Sequence, residues 1–223
     1  MKSYGEFCGT ARALDVVGDR WALLVVRELL LGPRRYTDLV EGLPGVGTNV
    51  LSTRLRDLEA DGVIERTRVP APTPAVLYQL TADGRDLRPV LDALGVWGAR
   101  RLTRPTSDEA VEPRWFVLSL AAHLDPAELD GSASFTLDID GQVFTLAASG
   151  DRVVASDGRD PSCTATITGR LRDFFATAHG QSTAAQRLTI TAGNRAAARQ
   201  LVKAITSAMA PTPMNTSDRK SRR

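Results

Sequence analysis

The stretch TNVLSTRLRDLEADGVIERTRV (residues 48–69) changes its period halfway, and that change decides the fold. Leu51, Leu55 and Leu58 recur at spacings of four and three, so they share one face of a helix. Thr48 is a helix-start residue, and Asp61-Gly62 is a stop and turn. The helix is therefore expected over residues 48–60. From Val63 to Val69 the residues become β-branched and alternate, which predicts a strand. A helix that turns sharply into a strand is the seed from which the rest of the first hundred residues is read.

Working upstream, Ala11, Leu14 and Val17 predict a short helix over 9–18 ending at Gly18. Asp19 is expected to cap a second helix to about Leu31, with Trp21, Leu24, Val25, Glu28 and Leu29 at the 3, 4, 7, 8 spacing of an amphipathic helix and Gly32-Pro33 closing it. Thr37 is expected to cap a short third helix over 38–42. Downstream, PAPTP (70–74) separates the first strand from Val76–Leu80, which makes a hairpin with a proline-rich tip. Thr81 then caps a long helix to about Arg101. Packed helices followed by a two-stranded wing are the winged helix-turn-helix plan.

With the three leucines turned inward, Asn49, Ser52, Thr53 and Arg56 point outward. Asn pairs bidentately with adenine, Arg with guanine, and Ser or Thr with either. Thr48 opens the helix, where free N–H groups suit a phosphate. Arg34 and Arg35 precede the third helix, where a DNA backbone would be clamped, and Arg54, Arg66 and Arg68 flank the reading helix or sit on the wing. Arg54 and Arg66 have an alternative as structural ion-pair partners, Arg54 of Glu59. Taken singly these residues are also what any solvated helix face carries; taken together, in this order of elements, they point to double-stranded DNA. The wing tip has neither Lys nor Arg, which argues against its deep insertion into a minor groove.

Composition agrees. Residues 1–104 hold 15 Lys+Arg against 13 Asp+Glu, residues 105–218 hold 9 against 13, and the last five residues hold four cations. That division predicts two domains with different partners. No apolar run reaches membrane-spanning length and Met1–Glu6 lacks a signal-peptide pattern, so a cytoplasmic protein without a membrane role is expected. Two cysteines, Cys8 and Cys163, form no disulfide framework or metal-ligand cluster. Nothing resembles a phosphate loop, a carboxylate pair or a nucleophile elbow. His123, His179 and Cys163 are not spaced as a metal or catalytic site. An enzyme, a metal and a cofactor are therefore not expected.

The runs CGTARALDVVGDRWALLVVRELLLGPRRYTDLVEGLPGVGTNVLSTRLRDLEADGVIERT and VLYQLTADGRDLRPVLDALGVWG resemble the HxlR-type winged-helix regulators, relatives of the MarR group, across about residues 8–102. The resemblance implies a transcriptional repressor or activator without enzymatic activity, a homodimer built from its first and last helices, and a palindromic operator. Gly9 stands where that family often has proline, and Tyr36 where it often has Phe. In some members the cysteine matching Cys8 senses oxidants or electrophiles; the other reading of Cys8 is a small apolar side chain.

After a polar, proline-bracketed linker (105–113), residues 114–210 read as a helix (115–124), strands at 134–140, 142–148, 152–156 and 163–168, a helix (171–179), a strand (188–191) and a helix (194–209). This is α+β with an antiparallel sheet, so the fold class is α+β throughout. Residues 211–223 are expected to be a disordered basic tail. SFTLDIDG, QVFTLAAS, CTATITG, LRDFFATAHG and LTITAGNRAAARQLVKAI resemble the sterol carrier protein-2-like fold. That resemblance implies an apolar site for a hydrophobic small molecule, with Trp115, Phe116, Phe135, Leu137, Phe144, Phe174 and Phe175 as candidate lining; the alternative is that these residues are simply core.

Three functions follow as expectations. One is a homodimeric DNA-binding regulator modulated by a hydrophobic effector. Another is a redox- or electrophile-sensing regulator acting through Cys8. The third is a lipid carrier whose winged helix serves only dimerisation.

Overall fold

The computed structural model describes residues 3–70, 74–102, 109–129 and 133–209. The centre of the proline-rich tip, the first four residues of the expected linker (105–108) and the basic tail lie outside the described residues. Two compact units are formed. One comprises Met1–Ala122 with Ala155–Asp157; the other comprises His123–Val154 and the chain from Gly158 onward.

The first unit is built on α1 (Gly9–Val17), α2 (Ala22–Leu29), α3 (Tyr36–Gly42) and α4 (Thr48–Ala60). Leu51, Leu55 and Leu58 of α4 meet Val25, Val26 and Leu29 of α2 and Leu39 of α3 in one buried cluster. Each fully buried leucine contributes about 1.5–3 kcal/mol relative to exposure. The wing strands β2 (Ile64–Val69) and β3 (Ala75–Leu80) pair antiparallel, and Ile64 and Leu80 seal the base of the wing against the same cluster. A strand not anticipated from sequence, β1 (Arg34–Arg35), pairs with β3 to give the order β1-β3-β2.

The helix starts differ from the expected caps for local reasons. Asp19 does not cap α2, which begins after Trp21 in a left-handed conformation at φ 81°; the Asp19 carboxylate is taken by Arg54. Thr37 lies inside α3, because pairing of β1 with β3 holds Arg34 and Arg35 extended and the Asp38 carboxylate accepts the Arg35 N–H at 3.0 Å. Gly47, not Thr48, occupies the cap of α4.

The long helix expected over residues 82–101 is broken into α5 (Ala82–Arg85) and α6 (Arg88–Ala99). Thr81 caps α5 as expected, accepting the Gly84 N–H at 3.1 Å. Pro89 explains the break. It has no N–H to donate, and its ring would clash with the carbonyl of Arg85 in a continuous helix, whereas near a helix start it is tolerated.

A five-stranded sheet has the order β6-β5-β4-β7-β8: β4 (Ser134–Ile139), β5 (Gln142–Ser149), β6 (Arg152–Asp157), β7 (Ala165–Gly169) and β8 (Thr189–Gly193); all of it but residues 155–157 of β6 belongs to the second unit. Asp140 (φ 51°) and Gly141 (φ 83°) form the two-residue β4–β5 turn, the left-handed pair that such tight hairpins need. The expectation of an antiparallel sheet is corrected here. β7 lies on the far side of β4 from β5 and runs parallel to β4, with Leu137 opposite Ile167; the sheet is mixed. The reading of consecutive hairpins fails because β7 skips back past two strands to reach β4.

α7 (Pro113–His123) precedes this sheet in the sequence, and α8 (Leu171–Ala178), α9 (Ser182–Ala185) and α10 (Arg195–Ala208) are the remaining helices among the described residues. Neither α9 nor the 3-10 turn at Pro126–Glu128 was anticipated. Phe135, Leu137, Phe144, Phe174, Leu201 and Ile205 are buried.

Gly84 is required where α5 crosses the wing base. A Cβ there would lie 2.0 Å from the Val63 carbonyl oxygen, a backbone atom that cannot swing aside. Gly84→Ala is expected to destabilise the first unit by about 1–3 kcal/mol in urea unfolding; an unchanged midpoint would show that the crossing is looser than described.

Candidate nucleic-acid interface

The leucine face of α4 determines what the opposite face shows. Asn49, Ser52, Thr53 and Arg56 are exposed, as is Thr48. Val50, not singled out from sequence, is also exposed, at 44%; an apolar side chain there suits the methyl group of thymine.

Tyr36 is a second residue that sequence reasoning missed. Its hydroxyl lies 3.0 Å from the Thr48 carbonyl oxygen, to which it donates, and 3.2 Å from Ser52 Oγ. It therefore pins α3 to the first turn of α4 and aims Ser52. The missed signal was the hydroxyl itself: a Tyr where the resembling family often has Phe.

Tyr36, Ser52, Leu55, Arg56, Glu59, Arg66 and Tyr78 line a concavity of about 350 Å³ between α3, α4 and the wing. Here the wing and the reading helix are joined by an ion pair, Arg66 Nε to Glu59 Oε1 at 2.8 Å. The Glu59 hydrogen bond, with its charge, raises the Arg66 pKa above the ordinary arginine range.

The other arginines divide by partner. Arg54 reaches Asp19 and, at 3.3 Å, Asp57. It ties α4 to the α1–α2 connection and leaves Glu59 to Arg66, so the expected Arg54–Glu59 pair does not form. Arg34 donates to the Asp38 carbonyl at 3.1 Å and is partly buried. Arg35, Arg56 and Arg68 are exposed, and no ion pair holds them among the described residues. Among the candidate arginines, then, three are left without an ion pair among the described residues and three are held by partners within the fold.

Cys8 is an exposed free thiol at the cap of α1. Hydrogen bonds from the backbone N–H groups of Ala11 and then Thr10 lower its pKa. Nearby, the N-terminal segment is tied down by Asp15, which accepts from Tyr4 N at 2.9 Å and Ser3 Oγ at 2.8 Å.

The candidate ligand residues are divided between the two units. Trp115 lies in the first. Its Nε1 donates to Glu28 Oε1 at 2.8 Å, and the Arg27 guanidinium stacks 4.4 Å from its ring centre. Glu28 is almost completely buried, and Arg27 and Arg114 neutralise it. Phe116 is buried in the same unit. In the second unit Phe135, Leu137, Phe144 and Phe174 are core, while half-buried Phe175 stacks on His179 at 4.2 Å. A shallow concavity of about 500 Å³ in that unit is lined instead by Asp125, Pro126, Ala127, Leu129, Ala148, Gly150 and Gln200. Among the described residues no group of acidic, histidine and cysteine side chains could hold a metal, and no helix is long and apolar enough to cross a membrane.

The HxlR-like helix-turn-helix family model matches residues 16–106. The HTH-type transcriptional regulator sll1512 of Synechocystis is 42% identical over 95 residues, which cover 43% of this chain and 70% of that protein. The HTH-type transcriptional regulator YvaP of Bacillus subtilis is 36% identical over 86 residues, covering 39% of this chain and 80% of the relative. The solved structure of a putative HTH-type transcriptional regulator, ytcD, is 35% identical, covers 43% of this chain and 97% of its own, and gives a TM-score of 0.40. The chain belongs to the HxlR-like helix-turn-helix family; the match ends before the second unit begins.

Tyr36→Phe removes one hydroxyl and leaves the ring. It is expected to cost about 0.5–1.5 kcal/mol in urea unfolding. Hydrogen exchange at the first turn of α4 should accelerate, and unchanged exchange there would remove Tyr36 as its anchor.

Proposed function

We propose that this member of the HxlR-like family is a homodimeric regulator of transcription that reads a palindromic operator with α4. The observation that carries the reading is the outward set Asn49, Ser52, Thr53 and Arg56, backed by a fully buried leucine face and braced by Tyr36 and the wing. Base edges are read from α4, and Arg35 and Arg68 take phosphates on either side.

Dimerisation is supported by exposed apolar surface on the first and last helices of the winged domain. Phe7, beside the start of α1, and Leu14 are exposed, as are Val90, Leu94 and Trp97, which share one face of α6. Large exposed apolar patches mark protein interfaces. In such a dimer the two copies of α4 enter successive major grooves about 34 Å apart.

A footprint on the DNA upstream of its own gene tests the reading. Asn49→Ala and Arg56→Ala are each expected to weaken operator binding by about 1–3 kcal/mol, roughly five- to 150-fold, with little change for random duplex. Leu94→Asp with Trp97→Asp should halve the mass in light scattering and abolish operator binding. A wild-type chain that shows no preference for its own upstream DNA sinks the proposal.

A second reading, redox control through Cys8, is favoured by the exposed thiol and its lowered pKa. A group whose pKa is depressed becomes thiolate at lower pH, so alkylation by iodoacetamide should inflect below the ordinary thiol midpoint of about 8.5. Operator release on oxidation should vanish in Cys8→Ser; retained release removes this reading. A hydrophobic effector in the second unit is the remaining part of the proposal. It is supported by the placement of four of the chain's six phenylalanines in that unit, and it requires the packed Phe135, Phe144 and Phe174 to part. A fluorescent fatty acid that fails to brighten with the full chain removes it.

A further inference from the structure

The cations of the second unit are sharply segregated. Its residues 123–154 and 158–160 include seven acidic and two basic residues, whereas residues 161–209 hold one acidic and six basic. The single acid, Asp173, is buried and held by Arg187 at 3.1 Å. On α10, Arg195, Arg199 and Lys203 stand four residues apart, all exposed. None of the three has an ion-pair or hydrogen-bond partner among the described residues.

This arrangement works against the helix that carries it. Like charges at i and i+4 are mutually destabilising, and Arg195 stands at the positive end of the helix dipole. No carboxylate on α10 offsets either effect, and the helix start is satisfied instead by Asn194, which accepts from the N–H groups of Ala196 and Ala197. An anion laid along the stripe would relieve both effects. Successive cations rise about 6 Å along the axis, close to the separation of neighbouring phosphates on one nucleic-acid strand.

The stripe does not suit a lipid surface. An interfacial helix inserts an apolar face, but Ala198, Leu201, Ala204 and Ile205 are buried inside the unit, and the exposed large apolar side chains among the described residues all fall between Tyr4 and Val111.

We infer that Arg195, Arg199 and Lys203 form a second, sequence-independent contact to the phosphate backbone of duplex DNA, separate from the reading helix. The inference rests on the DNA-binding reading above. It makes the second unit a contributor to affinity, in addition to any part in sensing.

The test is fluorescence anisotropy of the full chain with a random-sequence duplex across a salt series. R195Q/R199Q/K203Q should flatten the slope of log affinity against log salt by about 0.9 for each phosphate no longer neutralised, and R195K/R199K/K203R should restore it. Unfolding midpoints should be unchanged or raised, since repulsion has been removed. An unchanged slope overturns the inference. So does loss of binding to phosphatidylglycerol vesicles with the DNA slope intact. If the wild-type chain prefers its own upstream DNA and the slope does not move, only this inference fails. If it shows no preference but the slope falls, the inference stands and the operator reading fails.

Discussion

The burial of Leu51, Leu55 and Leu58 is the constraint on which the first unit depends. Because these side chains share one face and fill the space under α2 and α3, α4 has a single rotational setting. The identity of the exposed residues is then no longer free. Asn49, Ser52, Thr53 and Arg56 face outward because the leucines face inward. Rotating the helix to present another set would expose three leucines, at a cost of about 1.5–3 kcal/mol each.

A buried charge plays the complementary part at α2. Glu28 is held by Arg27, Arg114 and the indole of Trp115, and Gly42 leaves room for it: a Cβ on Gly42 would lie 2.5 Å from the Glu28 carboxylate. Burial lowers the pKa of Arg27, and Glu28 opposes that shift. Removing one partner of such a cluster strands a charge in a dry site, which is far more costly than never having built it.

The features legible in the sequence were those encoded by local period. The helix over residues 48–60, the wing strands, the Asp140-Gly141 hairpin and the Thr81 cap all follow from spacing and turn chemistry. What escaped depends on partners distant in sequence. β1 exists only because β3 is beside it, and the parallel pairing of β7 with β4 has no local signature. Arg54 could be placed on the flank of α4, but its preference for Asp19 over Glu59 required the fold. Of the aromatic residues thought to line a ligand site, Phe116, Phe135, Phe144 and Phe174 are buried, whereas Trp115 and Phe175 are only partly so. Periodicity cannot distinguish a lining from a core, and Trp115 was drawn into the first unit by a carboxylate 87 positions away.

The three-stranded sheet of the first unit has an evolutionary consequence. Since β1 joins Arg34 and Arg35 to the same ladder that carries the wing, and Glu59 fastens the wing to α4, the elements that would touch DNA form one rigid piece. On the operator reading proposed above, a change of target would come from exchanging side chains at positions 49, 52, 53 and 56, a small alphabet on a fixed frame, and not from bending a loop.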